Sequence, residues 1–367
     1  MKKNYLIIGG LLLVGYLKSQ TVSTFFNDPG IKVDDALTLD PEGNLYGSNF
    51  MGTNVYKITP AGTATVFAGG FNTPNGTAFN SQHQLYVCDL EGNKIYKLSA
   101  TGDFLDSVSV HGPSGIVKSQ HSDTMIFTQY KDHNVCKLAP DGSVHVMKSG
   151  APLNGPVGLS YDKTGNLYVA NFDDRKIFRF DTDSVVNYVA TMPGPANGWL
   201  GFITYASGTL WGTGYNDHRI YRIYQNYVDS TALYAGSSIG NVDGAPDVAK
   251  FNSPNGIVAS LTGDSLFVSD FNTGRIRIIS LISSTGVDAK VKKLNNVFIY
   301  PNPAQDRITI GYDKPIEKYT IHDVTGKLLL TGEGKEINLG GLTDGLYFIH
   351  LQAKEGVVNS TFVKGQL

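Results

Sequence analysis

The chain has 367 residues, of which 41% are apolar and 11% aromatic, so it is long enough for two or more domains and lacks the composition of a disordered protein. Its 42 glycines, 20 tyrosines and 18 phenylalanines, against only 17% charged residues, favour short strands joined by tight turns and predict an all-β fold. The net charge is −2 and no basic run is available to track a phosphate backbone, which argues against a nucleic-acid partner.

The N-terminal residues 1–19 have the pattern of a signal peptide. Two lysines precede an apolar stretch at residues 5–17, which is shorter than the roughly 20 residues that a helix needs to cross a bilayer. An uncleaved anchor is the alternative, because Leu17-Lys18 makes an irregular cleavage site. No cysteine stands directly after the apolar stretch, where a lipoprotein would carry its lipid-modified residue, so a lipoprotein is disfavoured.

A pair of large apolar residues, followed ten positions later by a second apolar strand, occurs six times. The pairs are Leu45-Tyr46, Leu85-Tyr86, Met125-Ile126, Leu167-Tyr168, Leu210-Trp211 and Leu266-Phe267. Turn-forming residues between the two strands predict antiparallel hairpins. A strand before and a strand after each hairpin complete units that step by 40, 40, 42, 43 and 56 residues, which is typical of β-propeller blades. The long step is an inserted loop at residues 239–253.

The sixth repeat lacks a clear fourth strand, whereas residues 21–26 form an orphan strand ahead of the first repeat. An open propeller would expose unpaired backbone groups on two edges. We therefore predict that the N-terminal strand pairs into the last blade and closes a six-bladed propeller over residues 20–285.

Two segments carry a specific family resemblance: residues 165–171, with the sequence Gly-Asn-Leu-Tyr-Val-Ala-Asn, and residues 243–258. Both resemble NHL repeats. The resemblance covers roughly residues 21–284 and extends more loosely to the senescence marker protein/gluconolactonase family, which implies a six-bladed β-propeller.

After a linker at residues 286–296 the blade rhythm stops, and seven strand-like runs follow within residues 297–367. They predict a small β-sandwich of the immunoglobulin-like kind. Three landmarks lie along this segment, with Tyr300, Pro301, Asn302 and Pro303 in the first, Asp323, Gly326 and Lys327 in the second, and Gly345 and Tyr347 in the third. Together they resemble the C-terminal sorting domain of type IX secretion substrates. The residues alone also fit an edge strand entered by prolines and glycines at positive-φ turns.

The sorting-domain resemblance has consequences for location and partners. It implies passage through the periplasm and across the outer membrane, ending in secretion or attachment at the cell surface. It also implies the type IX secretion machinery as a partner, and we expect the protein to be a monomer. Cys88 and Cys136 lie in different repeats; their pairing stays open, and we interpret both as buried small apolar residues.

Candidate functional residues lie where the innermost strand of each blade begins, because these positions open around the propeller axis on one face. In blade order they are Asp35, Asn75, Ser114, Val157, Leu200 and Asn255, with His111 and Asn197 on nearby loops. We take Ser114, His111 and Asn197 as candidate ligand-binding residues of this mouth. Asparagine before glycine also suits a plain turn, so the two Asn-Gly pairs have a purely structural interpretation as well.

The gluconolactonase resemblance implies a metal site at the same positions. That family has metal ligands at the residue before a glycine that starts the innermost strand, and this position corresponds to Asn75 before Gly76 and to Asn255 before Gly256. The family also has a glutamate ligand in its first blade, which corresponds to Asp35 or its neighbour Asp34. These are oxygen ligands, so any metal is expected to be a calcium-like divalent cation. Val157 or Leu200 stands where the family has an aspartate, so the hydrolase site is incomplete.

Aromatic residues recur on the same face. The position after the first strand of each hairpin holds Phe50, Leu90, Tyr130, Phe172, Tyr215 and Phe271, and the preceding position is mostly short and polar, which suits capping of the hairpin turn. Such rings could stack sugars or flat ligands. Strand alternation favours packing between blades instead.

Two function classes follow, and the sequence leaves open whether the protein is an enzyme. The first is an exported propeller that binds a small molecule, glycan or protein through its axial face. The alternative is a metal-dependent, lactonase-like hydrolase of the gluconolactonase type. The sequence contains no nucleophile elbow, phosphate loop, zinc signature or haem motif.

Overall fold

A computed structural model describes residues 20–281, 297–323, 327–354 and 356–365. These residues form two compact units, one within residues 17–284 and one that contains the C-terminal segment. All regular elements in the described parts are strands, so none of them supplies a helix long and apolar enough to span a membrane. The predicted signal peptide lies outside the described residues.

The first unit consists of six four-stranded antiparallel sheets. Blade 1 contains β2 Leu37–Leu39, β3 Leu45–Ser48, β4 Asn54–Ile58 and β5 Ala64–Gly69, and blade 2 contains β6 Pro74–Phe79, β7 Leu85–Asp89, β8 Lys94–Leu98 and β9 Phe104–Ser109. Blade 3 contains β10 Pro113–Lys118, β11 Met125–Gln129, β12 Asn134–Leu138 and β13 Val144–Ser149, and blade 4 contains β14 Pro156–Tyr161, β15 Leu167–Asn171, β16 Lys176–Phe180 and β17 Val186–Thr191. Blade 5 contains β18 Leu200–Ala206, β19 Thr209–Gly214, β20 Arg219–Ile223 and β21 Thr231–Ala235. Blade 6 contains β22 Pro254–Ala259, β23 Ser265–Asp270, β24 Arg275–Ser280 and the N-terminal strand β1 Val22–Phe26.

Burial changes from the inner to the outer strands of a blade. In blade 2 all five residues of β7 are buried, because both faces of the sheet pack against neighbouring blades. The outer strand β9 of the same blade is exposed at five of its six positions. Each innermost strand packs on the innermost strands of its two neighbours, from β2 round to β22 and back to β2. The six blades therefore form a closed ring.

The N-terminal strand closes the ring as predicted. β1 pairs antiparallel with β24, with Val22 opposite Ile279 and Phe26 opposite Ile276. The inserted loop supports this closure, since Val22 and Gly244 exchange backbone hydrogen bonds of 2.8 and 2.9 Å. Arg277 is fully buried beside them. Its guanidinium donates to the carbonyls of Lys250 and Val242 and to the carboxylate of Asp243, at 2.8, 2.9 and 2.5 Å.

Glycines allow the blades to approach at the axis. A methyl group on Gly115 would lie 1.7 Å from the carbonyl oxygen of Val157 in the next blade. The same addition to Gly256 would lie 2.0 Å from the carbonyl oxygen of Asp35. Any side chain at these two positions would force the innermost strands apart, so ring closure requires glycine there, whereas blade 1 has the buried Ala36 at the corresponding position.

Cys88 and Cys136 are both buried and do not form a disulfide. They lie in one hydrophobic cluster with Phe127 and Tyr86, between blades 2 and 3. Burial raises the pKa of the Cys136 thiol to about 12. The interpretation of both as buried small apolar residues is confirmed.

The C-terminal unit contains two antiparallel sheets. One consists of β25 Phe298–Tyr300, β26 Arg307–Gly311 and β29 Glu336–Asn338; the other consists of β27 Lys318–His322, β28 Leu328–Gly332, β30 Gly345–Ala353 and β31 Gly356–Lys364. A separate core, which includes Ile308, Ile321 and Phe362, fills this unit. All seven predicted strands are present, and an immunoglobulin-like topology stays a prediction.

The three C-terminal landmarks make local structural contacts. The Asn302 carboxamide accepts a 2.8 Å bond from the Val363 amide. The Asp323 carboxylate accepts a 3.0 Å bond from the Lys327 amide, and the Tyr347 hydroxyl donates to the Thr343 carbonyl at 2.5 Å. Gly345 has a φ of 158°, and Gly326 lies outside the described residues. The landmarks thus fix the ends of strands in a folded module.

Candidate functional site

The ring of residues at the axis divides into a polar and an apolar part. Asp35, Asn75, Ser114 and Asn255 are all buried, and they occupy blades 1, 2, 3 and 6. The Asn255 amide donates to the Asp35 carboxylate at 2.7 Å, and the Asn75 amide donates to the Ser114 hydroxyl at 3.2 Å. The corresponding residues of blades 4 and 5 are the buried Val157 and Leu200. We call these six residues the axial ring.

Three oxygens of the axial ring are buried without a hydrogen-bond partner among the described residues: Asp35 Oδ2, Asn75 Oδ1 and Asn255 Oδ1. Burial, together with repulsion from neighbouring Asp34, raises the pKa of Asp35 well above its usual value. An unpaired buried oxygen is costly, so these atoms favour an added proton or cation. The fit to a cation is partial, because the hydrogen bonds join Asp35 to Asn255 and Asn75 to Ser114 as two separate pairs.

Asp34 has a different position from Asp35. In blades 2 to 6 the amide of the residue after the hairpin's first strand donates to a backbone carbonyl just before the innermost strand, as from Phe172 to Gly155 at 2.8 Å. In blade 1 the Phe50 amide donates instead to the Asp34 carboxylate at 2.8 Å. Asp34 also pairs with Lys32 at 3.0 Å. It therefore replaces a backbone acceptor, and the alternative in which it turns to the axis is wrong.

The recurrent aromatic residues form a continuous arc on the same face. Phe50 lies 6.2 Å from Phe271, Phe271 lies 5.4 Å from Tyr215, and Phe172 lies 6.2 Å from Tyr215 and 6.1 Å from Tyr130, all between ring centroids. These five rings come from blades 1, 6, 5, 4 and 3 and are all partly exposed. Blade 2 interrupts the arc with the buried Leu90. The rings do pack between blades, as strand alternation predicts, but they also present a surface.

Trp199 belongs to this arc although the repeat pattern did not identify it. Its ring stacks on Phe172 at 5.3 Å with an interplanar angle of 21°, and it lies 5.7 Å from Tyr215. The Tyr215 amide donates to the Trp199 carbonyl at 3.0 Å, and the Leu200 amide donates to the Phe172 carbonyl at 3.1 Å. These bonds fix the three rings together, and the side chain of Trp199 stays 40% exposed. Its place directly before the axial-ring residue Leu200 was the available signal.

The aromatic arc and the axial ring are adjacent. Burial raises the pKa of the Tyr215 hydroxyl to about 12, with further contributions from the negative charges of Asp35 and Asp34, which lie close enough to act on it. Tyr130 and Phe172 pack on the hydrophobic cluster that contains Val157. The aromatic rings are therefore densest beside the apolar positions of the axial ring.

The other predicted mouth residues lie at its margin. The His111 ring is exposed and lies 2.8 Å from the carboxylate of Asp132, in the hairpin turn of blade 3. Asn197 is exposed, and its carbonyl accepts a 3.0 Å bond from the Asn216 side chain. Ser114 lies in the axial ring itself. The structure thus separates the three instead of joining them in one cluster.

The polar residues at the ends of the hairpin strands act as caps. The Asp89 carboxylate accepts bonds of 2.9, 2.7 and 3.1 Å from the amides of Asn72, Thr73 and Gly92. Asp270 accepts a 2.6 Å bond from the Asn252 amide in the same way. The predicted cap of the hairpin turn is confirmed at Asp89 by the bond from Gly92, whereas the bonds from Asn72, Thr73 and Asn252 come from the segments before the innermost strands.

Similarity to known proteins distinguishes the two units. Residues 298–365 match the family model of the secretion system C-terminal sorting domain. The protein therefore carries an export signal of the type IX kind and is secreted or attached at the cell surface. No curated protein matches the chain.

Solved structures similar to the chain are propellers. A virginiamycin B lyase from Staphylococcus aureus is 21% identical, with 70% of this chain and 82% of that chain covered and a TM-score of 0.54. A gluconolactonase from Xanthomonas campestris is 17% identical, with 74% and 92% covered and a TM-score of 0.57. An auxiliary nutrient binding protein from Bacteroides thetaiotaomicron is 15% identical, with 71% and 76% covered and a TM-score of 0.60. At these identities the similarity concerns the fold.

Proposed function

We propose that this exported propeller binds a ligand on its axial face, through the arc of aromatic side chains. The observation that carries the proposal is that rings from five blades, together with Trp199, contact one another while each stays partly exposed. Exposed aromatic surface lowers the solubility of a protein, and such patches commonly mark binding sites.

The axial ring, which is adjacent to the aromatic arc, supports the same proposal. It is apolar at Val157 and Leu200 and polar at Asn255, Asp35 and Asn75. Binding sites combine mostly apolar walls with a few placed polar groups that orient the ligand. The fold neighbours include a nutrient-binding protein as well as enzymes, so the fold is compatible with binding alone.

The proposal is tested by comparing binding by the wild type with binding by the double variant Phe172→Ala/Tyr215→Ala. The purified protein is screened by calorimetry against oligosaccharides, short peptides, nucleosides and lactones. We expect at least one probe to bind the wild type and to bind the double variant about tenfold more weakly or worse, because two stacking surfaces are removed. Phe104, an exposed ring on the outer strand β9, gives the matched control Phe104→Ala. Equal binding by the two variants would refute the proposal.

The export route has its own test. A chain ending at residue 290 lacks the sorting domain, and we expect it to retain the propeller's melting temperature but to stay inside the cells of the native host. The C-terminal unit has a separate core, so its removal takes no side chain from the clusters described for the blades. Normal export of the shortened chain would contradict the sorting role.

A lactonase-like hydrolase is the second candidate. The observation that favours it is the set of three unpartnered oxygens on Asp35, Asn75 and Asn255, which are ligands of the kind that calcium prefers. In that case the cation would polarise a lactone carbonyl at the axis. Turnover of simple lactones by the purified protein that depends on added divalent metal and is lost in Asp35→Asn would establish this candidate over binding alone.

A further inference from the structure

We infer that the ligand of the axial face is an uncharged carbohydrate chain and that Trp199 is the platform on which one sugar ring stacks; this inference rests on the proposed function. The platform combines Trp199, Phe172 and Tyr215 with the exposed Asn197, two residues before the tryptophan. Stacking surface and amide group together match a molecule with apolar faces and hydroxyl edges.

The geometry of Trp199 makes it the strongest single surface. One face of the indole lies against Phe172, with the rings only 21° from parallel, and Tyr215 lies near it at an angle of 55°. Two backbone hydrogen bonds hold this group of residues, so the indole is supported before any ligand arrives. A preorganised ring loses little conformational entropy on binding. The C–H groups of a pyranose face carry slight positive charge, which suits the negative face of the π system.

The exposed polar side chain next to Trp199 in the chain is the amide of Asn197, which both donates and accepts. Asn197 is exposed two residues before Trp199, and the Asn216 amide bonds to its carbonyl at 3.0 Å, which fixes the loop. Carboxamides satisfy the mixed donor and acceptor pattern of sugar hydroxyls better than a fixed charge does. Residues 193–198, the loop before Trp199, contain no charged side chain.

Several ionisable side chains on this face are paired within the protein, whereas the guanidinium of Arg175 lies against the loop before Trp199 and its Nη1 has no hydrogen-bond partner among the described residues. Lys32 lies 3.0 Å from Asp34, Lys131 lies 2.8 Å from Glu91, and His111 lies 2.8 Å from Asp132. The carboxylate of Asp173 accepts a 3.0 Å bond from the Tyr130 hydroxyl. A cationic ligand would have to break these pairs, whereas a neutral ligand leaves them intact. The face therefore favours a neutral occupant over a cation.

The fluorescence of the chain provides a direct test. It contains two tryptophans, Trp199 and the fully buried Trp211, so acrylamide quenching reports mainly on Trp199. The probes are maltohexaose, cellohexaose, xylohexaose, mannohexaose and laminarihexaose, with adenosine and a tetrapeptide of tyrosine and serine as other flat ligands. We expect at least one hexasaccharide to lower the quenching constant about twofold, because a stacked sugar shields the indole.

Variants locate the binding. By calorimetry we expect Trp199→Ala to lower the affinity for the same hexasaccharide about tenfold. Trp199→Phe should recover most of that affinity, and Phe104→Ala should bind the hexasaccharide as tightly as the wild type does. Hexasaccharide binding that Trp199→Ala leaves unchanged would overturn the assignment of the platform. Shielding by adenosine or the tetrapeptide but by no hexasaccharide would overturn the carbohydrate class and keep the axial face as a binding site. If no probe binds at millimolar concentration, both the inference and the proposed function fail.

Discussion

The two halves of the axial face use the same backbone for different purposes. In blades 6, 1, 2 and 3 the axial ring is polar, with Asn255 bonded to Asp35 and Asn75 bonded to Ser114. In blades 4 and 5 the same positions are Val157 and Leu200, next to Phe172, Trp199 and Tyr215. The close packing of glycine against the next blade occurs in both halves. The repeat therefore builds the ring, and single side chains at one position of each blade decide what the face can bind.

The largest expected effect comes from opening the ring in its polar half. Deleting residues 20–27 removes β1 from blade 6, exposes the edge of β24, and loses the buried Val22 and Phe26. Two buried apolar side chains alone contribute about 3–6 kcal/mol, so we expect a melting temperature lower by 10 °C or more. The control is Ser23→Ala, which changes an exposed residue of the same strand. An undiminished melting temperature in the deletion would contradict the closure.

The buried guanidinium of Arg277 gives the next largest effect. Arg277→Met takes the donor from two carbonyls and the nearby cation from the buried Asp270, 4.0 Å away, whereas the half-exposed Asp243 keeps its bonds from Thr24. We expect a loss of about 3 kcal/mol in the free energy of unfolding, measured with urea. Arg275→Met, at a partly exposed position of the same strand, should cost under about 1 kcal/mol. Equal losses in the two variants would show that the inserted loop does not depend on Arg277.

The polar half should also respond to pH through Asp270. Burial raises its pKa to about 6, above the value of 3.8 in the unfolded chain, so the folded state holds its proton at a higher pH than the unfolded state does. The contribution of this group to stability therefore grows as the pH falls from about 7 to about 4, by at most about 3 kcal/mol. Urea unfolding of the wild type and Asp270→Asn across this range measures it. We expect the difference between the two proteins to vary with pH, and a constant difference would contradict the raised pKa.

The smallest effect is expected from calcium at the axial ring. If the three unpartnered oxygens of Asp35, Asn75 and Asn255 hold the cation, calcium at ten times its dissociation constant stabilises the fold by about 1.4 kcal/mol. Asn75→Ala/Asn255→Ala should abolish that stabilisation. Asn197→Ala, which changes an exposed residue at the margin of the same face, should keep it. Absence of any effect of millimolar calcium on the wild-type melting temperature would return these residues to a purely structural role.

The fold was predictable because its signals are local or periodic. Six hairpins with the same ten-residue spacing between their two strands define the blades. The sixth repeat lacks an outer strand, which identifies residues 21–26 as the segment that supplies it, and the pairing of β1 with β24 confirms this. The C-terminal unit was predictable because Asn302, Asp323 and Tyr347 hold turns and strand ends within a short module.

The candidate site was only partly predictable, because its contacts join residues that are distant in the chain. Asp35 and Asn255 are 220 positions apart, and no sequence pattern shows that they bond directly. Asp34 and Asp35 are adjacent residues of the same type, so the sequence alone does not distinguish them. In the structure Asp34 replaces a backbone acceptor, whereas Asp35 belongs to the axial ring. Trp199 lies in a loop outside the repeat, so only the packing of blades 4 and 5 brings it against Phe172.

The most direct test of the central claim is hydrogen–deuterium exchange with and without the hexasaccharide that binds most tightly. The axial face of blades 4 and 5 should show slowed exchange on binding, in peptides that cover residues 171–174, 193–200 and 213–217. The outer strands β9 and β13 should exchange at unchanged rates. Protection confined to those outer strands, or spread evenly over all six blades, would contradict binding at the aromatic half of the axial face.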